Sequence, residues 1–501
     1  MQGSDAIYTK NIDGTSLGCK VRPGYAEWAN GYAGDEVKTV IPYKGTLEDG
    51  TKDKLFACTS NGIYDITAST ESPTLDHGWG ITSSDAGWCS YEVFTNDAGA
   101  RVLMVCDLAN GYRIYTESTD LWTTPTITGP TGGAADLVFL ASWKNRVWFI
   151  EKDTNSAWYT GIGVFQGAVT EFNFGNKLRY GGNLKSLHGW TLDSGVGPDD
   201  YLVVLGSAGD VLVYAGTNPT SSSTFGQIGA FYIGDIPKGR RCGLSVGGDL
   251  YLLSTYGVIS ARDLLSGQNP YTYEGSLSYK INPLLRASLK NDPNSFGWEL
   301  QVLPDLAKII VTVPKETNQQ HLQYVYDMNM QSWGIWNGVP MTTVVTWKNE
   351  VYSGAVLKVH KITGTLDNVL ITSPAPDPIY WSLLTAYNEM QSPQMNKIVE
   401  FIRPRFVAEG EPSVDVKAFF DYDLSELVRA SIVGSGTDIW DTGTWDAAIW
   451  GGGQDRFQNL EGASGMGKTV AVALAGASTL STTLVDLGIL WRTASSNRGL
   501  I

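Results

Sequence analysis

LFACTSNGIYDI, residues 55–66, holds the pattern that decides the fold: two short β-rich runs joined at an Asn61-Gly62 turn signal. The unit returns as VLMVCDLANGYRIY from Val102, VWFIEKDTNSAWY from Val147, LVVLGSAGDVLVY from Leu202 and LYLLSTYGVISA from Leu250. IIVTVPKETNQQHLQYVYDM from Ile309 and VYSGAVLKVHKI from Val351 complete the series. The starts at 55, 102, 147, 202, 250, 309 and 351 lie 47, 45, 55, 48, 59 and 42 residues apart. A period of ~40–50 residues marks four-stranded propeller blades, which bury both faces by stacking on their neighbours. Two units share a lead-in to a strand, Trp143-Lys144-Asn145 and Trp347-Lys348-Asn349. An irregular double β-sandwich would share the strands but not the period. The pattern predicts an all-β chain with a β-propeller of six or seven blades, some of them incomplete.

Beyond residue 375 the texture changes. Pro374, Pro376 and Pro378 break the pattern, and the runs Ile402–Phe406, Val414–Phe420, Thr469–Ala475 and Thr483–Leu490 read as strands without the blade spacing. Between them, IWDTGTWDAAIWGGG sets Trp440, Trp445 and Trp450 five apart, neither a strand nor a helix period, so it reads as a looped segment. The expected division is a propeller over 46–375 and a second β-rich platform domain over 376–501. Residues 1–45 are expected to join that platform, with the propeller inserted between. Helix is minor, with Asn282–Leu289 the best candidate because Pro283 stands at an N1-like position.

Composition agrees with short strands and tight turns: 57 Gly, 17 Trp and 24 Tyr among 501 residues, against 4 His. A formal net charge of −15 disfavours phosphate-neutralising binding to nucleic acid and attraction to anionic membranes. The five cysteines, Cys19, Cys58, Cys89, Cys106 and Cys242, are scattered and form no CxxC, so they read as free thiols. Met1–Lys10 lacks an apolar signal core, and no run reaches ~18 apolar residues, which predicts no membrane-spanning segment.

GASGMGKT, Gly462–Thr469, satisfies the spacing of a phosphate-cradling loop. That loop needs a hydrophobic strand before it and a helix after it. Here the preceding residues are polar and TVAVALA alternates like a strand, so it reads as a Gly-rich turn. The histidines His77, His188, His321 and His360 form no metal-ligand pair, and no G-x-S-x-G elbow occurs. Asp35-Glu36 and Asp199-Asp200 read as solvated loop charges. The expectation is a protein that is not an enzyme and takes no cofactor or metal. The densest basic cluster is Lys238, Arg240 and Arg241 in IGDIPKGRRCG. It reads either as a surface loop between blades or as an inter-subunit or partner contact through Arg–carboxylate pairing.

Three stretches carry a family likeness. DAIYTKNIDGTSLGCKVRPGYAEWANGY, Asp5–Tyr32, follows an "N…R.GY..WA" pattern. GDVLVYAGTNP and GAFYIGDIPKGRRCGLSVGGDLYLLSTYGVI, within Gly209–Ile259, follow "VY.G.DP", "G.P.GRR" and "GD…T..G". FIRPRF, the WD-rich loop and GASGMGKTVAVALAG follow near the end. In this order they resemble the tail nozzle (tail tubular B type) proteins of short-tailed bacteriophages. The resemblance implies a virion tail subunit, made in the host cytoplasm and assembled as a homo-oligomer, typically a hexamer. It implies portal and adaptor proteins and tail fibres or spikes as partners. Double-stranded DNA would be retained by the ring and pass through its lumen during ejection without sequence-specific binding. An acidic lumen would let the phosphate backbone slide without tight contacts. The alternative is a carbohydrate-binding or carbohydrate-active propeller, since aromatic-rich loops can stack on sugars.

Overall fold

Six of the seven recurring hairpins fall on small antiparallel sheets, and the one from Ile309 falls on a larger sheet. The computed structural model describes residues 6–32, 36–193, 198–270, 272, 276–314, 322–370, 376–423, 455–458 and 460–494. The chain is all-β, a β-propeller with a second β-rich domain. Its contacts separate Glu27–Tyr324 with Pro340–Lys361 from Met1–Ala26, Val325–Val339 and Ile362–Ile501.

The propeller's first sheet takes Thr39–Tyr43, Lys54–Cys58, Gly62–Asp65 and Thr74–Gly78 in sequence order, with Asn61-Gly62 at the turn between its second and third strands. Cys89–Thr95, Leu137–Trp143 and Leu184–Asp193 each begin a further four-stranded sheet. Gly243–Val246 begins a three-stranded sheet, Glu299–Leu303 pairs with Lys308–Val313, and Thr343–Trp347 begins the last sheet. Each of these first strands touches the next, and Thr343–Trp347 returns against Thr39–Tyr43, so the round closes on itself.

The shared Trp-Lys-Asn lead-ins are the turns between first and second strands. Lys144 and Asn145 have φ of 50° and 56°, and Lys348 and Asn349 have 51° and 59°. Two successive positive φ values are the two-residue hairpin turn whose twist matches that of its strands. Large rings fill the wedges between sheets. Phe56, Tyr115 and Trp122 pack between the first and second, Tyr112 and Phe149 between the second and third, and Trp148, Tyr214 and Phe225 between the third and fourth.

Closure is not made by the end of the propeller's own sequence. The last sheet takes its fourth strand from Tyr25–Asn30, beside Lys358–Ile362. Lys358 Nζ lies 2.6 Å from Glu27 Oε2, although the residues are 331 positions apart. Trp28 Nε1 donates to the Ile66 carbonyl at 2.8 Å, and its ring meets Tyr352 edge-on at 5.1 Å. Ala29, Val40, Leu55, Val345 and Val359 fill one core beneath them. An otherwise open sheet edge is thereby paired by the start of the chain.

The second unit is a β-sandwich. One layer has the order Ser332–Asn337, Ala6–Lys10, Asp377–Thr385, Val470–Ser478, Ser413–Phe420. The other carries Ile12–Thr15, Gly18–Val21, Thr482–Thr493, Lys397–Ala408 and Asp455–Gln458. Trp381, Val472 and Leu474 from the first layer meet Ile12, Ile402 and Phe406 from the second. Arg22, its side chain fully buried, ties this unit's segments together. Its guanidinium donates to both Asp367 carboxylate oxygens at 2.8 and 2.6 Å and to Asn11 Oδ1 at 3.0 Å. Asn11 Nδ2 then reaches the Asn337 and Tyr380 carbonyls. Gly24 is required beside this pair, since a Cβ there would lie 1.9 Å from the Leu366 carbonyl oxygen.

The boundaries differ from the sequence reading. Residues 27–45 belong to the propeller, because they supply most of its closing strand and the whole first strand of its first sheet. Residues 325–339 and 362–370 belong to the sandwich unit, where Lys10 pairs in parallel with Ile335. The helix expected at Asn282–Leu289 spans Asn282–Asn291. The four C-terminal strands also stand where expected, as Lys397–Ala408, Ser413–Phe420, Val470–Ser478 and Thr482–Thr493. Trp440, Trp445 and Trp450 lie outside the described residues.

Glu27 accepts a charge-assisted bond at the closure, so Glu27→Ala should cost about 2 kcal/mol of stability. Amides of residues 27–30 and 358–362 should then exchange with deuterium sooner than those of 202–205. Unchanged exchange would mean that apolar packing alone holds the closing strand.

Candidate functional site

The residues ahead of Gly243–Val246 turn sharply, with Gly234 and Gly239 at φ of 84° and 106°. A side chain is excluded at Gly234, where a Cβ would lie 2.5 Å from Thr255 Oγ1 and from the Tyr256 ring. These turns deliver Arg240 and Arg241 to the starting ends of the first strands. Arg241 Nη1 donates to Thr343 Oγ1 at 3.0 Å and to Glu299 Oε1 at 3.3 Å, and Nη2 donates to the Lys38 carbonyl at 3.0 Å. Its guanidinium lies 5.2 Å from the Trp88 ring centroid. Arg240 Nη1 donates to the Leu184 and Lys185 carbonyls at 3.1 and 2.7 Å. Two adjacent side chains, entering from the fifth sheet, therefore hold the entrances of the first, second, fourth, sixth and seventh sheets.

A column of cations and rings continues the cluster. Lys238 Nζ stands 4.1 Å over Phe296, Phe296 stacks on Trp88 at 5.8 Å and 20°, and Arg241 faces Trp88. Cation–ring attraction of this kind strengthens as the pair loses water. Arg241 keeps 16% of its side-chain area exposed and Glu299 keeps 7%. Burial pushes the Glu299 carboxyl up, against the pull of Arg241. Burial brings Arg240 down to about 10 and also lowers Lys185, beside Arg240 and Lys238. His188, on the first strand of the fourth sheet, is brought by burial to about 4 and keeps Nε2 2.9 Å from Ser186 Oγ.

The cluster borders a partly open cavity of about 10 Å³, lined in part by Trp88, Ser90, Arg240, Arg241, Phe296 and Trp298. That is room for one water-sized body, far below the several hundred Å³ of organic-ligand sites. Of the expected contact residues, Lys238 is exposed, whereas Arg240 and Arg241 direct their described hydrogen bonds inside the propeller. The carboxylate facing Arg241 is Glu299 of the same chain, because the Gly turns swing the arginines into the ring of strands. A signal was present: Glu299 interrupts the apolar stretch FGWELQVL, and a carboxylate entering a buried strand calls for a cation.

The phosphate-loop look-alike has a different use. Thr469 runs directly into the strand Val470–Ser478, not into a helix. The Lys468 and Thr469 amides donate to Asp421 Oδ1 at 2.7 and 3.0 Å, so this chain's own carboxylate takes the donors a phosphate would need. Among the described residues no His, Cys, Asp and Glu cluster could hold a metal, and no helix is long and apolar enough to cross a membrane.

No family model matches the chain, and no curated protein matches it. Solved structures do. The extracellular domain of a hybrid two component system from B. thetaiotaomicron aligns over 79% of this chain and 54% of its own, at 12% identity and a TM-score of 0.44. The chain thus spans about half the length of that protein. The computationally designed Ika8 protein aligns over 72% of this chain and 99% of its own, at 10% identity and a TM-score of 0.33. A quinonprotein alcohol dehydrogenase-like protein from Bacteroides thetaiotaomicron aligns over 65% of this chain and 66% of its own, at 12% identity and a TM-score of 0.32. No functional conclusion follows from likeness at this level.

Arg241→Ala would leave Glu299 buried without its cation and should cost about 3 kcal/mol in urea unfolding. A surface contact residue would leave the midpoint unchanged. His188 gives a pH signature. The unfolded imidazole takes a proton near pH 6.5, which the folded one refuses until about 4, so stability present above 6.5 is lost as pH falls through that window. His188→Gln should flatten this part of the pH–stability curve. An identical acid limb in the variant would show that His188 does not titrate against the fold.

Proposed function

We propose that this chain is a structural subunit of a short phage tail, not an enzyme. In this reading six copies form a nozzle ring below the portal and adaptor proteins, retain the genome and conduct DNA during ejection. The observation that carries it is where the three family-like stretches fall. Asn11, Arg22 and Gly24 of the first build the buried joint of the sandwich, and its Trp28 and Ala29 seat the propeller's closing strand. Gly239, Arg240 and Arg241 of the second form the hub of the first strands. The third supplies sandwich strands and the turn held by Asp421. The likeness thus follows the positions on which such a body depends, not a scatter of surface residues.

We read the closed round as seven blades, a stiff module that leaves few sheet edges for unwanted pairing. The net charge of −15 suits a wall past which DNA slides. Electron microscopy of the purified chain mixed with portal and adaptor proteins tests the proposal. Sixfold rings extending the portal are expected. Persistent monomers that bind or cleave glycans would overturn it.

A further inference from the structure

The hub holds more positive charge than its described partners neutralise. Arg241 has Glu299 at 3.3 Å. Arg240 bonds two backbone carbonyls and, among the described residues, has no carboxylate within ion-pair distance, although Asp153 acts on it from farther away. Lys185 adds a further cation near it, and the exposed Lys238 another. A cation largely withdrawn from water with no anion in contact is costly and calls for a counter-charge. Ser90 lines the same cavity, and its Oγ is buried without a hydrogen-bond partner. A hydroxyl can turn its proton toward an anion as readily as toward water. The space, about 10 Å³, admits a monatomic body and excludes an organic acid or a nucleotide phosphate.

We propose that the propeller hub binds one small halide-type anion, chloride in ordinary buffers, between Arg240, Arg241 and Ser90. The anion supplies Arg240 with a negative charge in direct contact and Ser90 Oγ with a partner. It thereby joins the second sheet, which carries Ser90, to the fifth, which the two arginines enter. A neutral water would satisfy Ser90 but leave Arg240 with only the more distant Asp153 as counter-charge. This inference concerns the propeller alone and is independent of the tail role.

Crystals of the full chain soaked in sodium bromide test it by anomalous scattering at the bromine edge. One peak is expected between the two guanidinium groups and Ser90 Oγ. In solution, chloride should raise the melting temperature in a saturable way relative to gluconate at equal ionic strength. Ser90→Ala, a small change that leaves both arginines in place, should weaken that response several-fold. No bromide peak at the hub would overturn the proposal. A peak without chloride-specific stabilisation in solution would overturn it equally, as binding at crystal concentration only.

Discussion

A guanidinium inserted where first strands converge is the constraint on which the propeller depends. Strands that converge on an axis bring their starting carbonyls and side chains together, and each buried polar group there must find a partner. Arg241 meets this need with a planar fork of donors reaching a carbonyl, a hydroxyl and a carboxylate on three different sheets. A lysine, with one short-range charge centre, could not span those acceptors. The Gly234 and Gly239 turns exist to place this fork, and Trp88 and Phe296 exclude water along one side of it.

The closing strand obeys the same logic at the outer rim. Each sheet presents an edge, and the last sheet covers one of its edges with Tyr25–Asn30 from the start of the chain. Contacts between residues 331 positions apart carry a large loop-closure cost. That cost is offset by a paired edge, the Lys358–Glu27 ion pair and the shared core under Trp28. In the sandwich unit, the Arg22–Asp367 pair binds segments 345 positions apart, here with a bidentate arginine. A cation–carboxylate pair thus stands at a long-range joint of each unit.

Much of the fold was legible in the sequence, for a local reason. Asn61-Gly62, Asn110-Gly111 and Gly209-Asp210 are turn signals between alternating runs, and each falls at or beside the junction of two paired strands. The period exposed the propeller because every blade repeats the same local unit. The boundaries were less legible, since nothing local in TKNIDGTSLGCKV or YAEWAN announces which distant strand it will pair with. The internal partners of Arg240 and Arg241 were illegible for the same reason: a Gly/Pro turn reads as surface, and Leu184, Glu299 and Thr343 meet it only through the ring of first strands. That Gly462–Thr469 opens no helix was legible because Val470, Val472 and Leu474 alternate, but its pairing along Lys397–Ala408 at Gly462 and Met466–Gly467, the bend at Lys468-Thr469 and the partner Asp421 were not.

Central to this account is that Arg241 and Glu299 act as an internal pair. A double-mutant cycle with Arg241→Met and Glu299→Gln, read by urea unfolding, measures their coupling directly. A favourable coupling of about 2 kcal/mol is expected, with the double variant more stable than the sum of the single losses requires. Strict additivity of the two substitutions would contradict it.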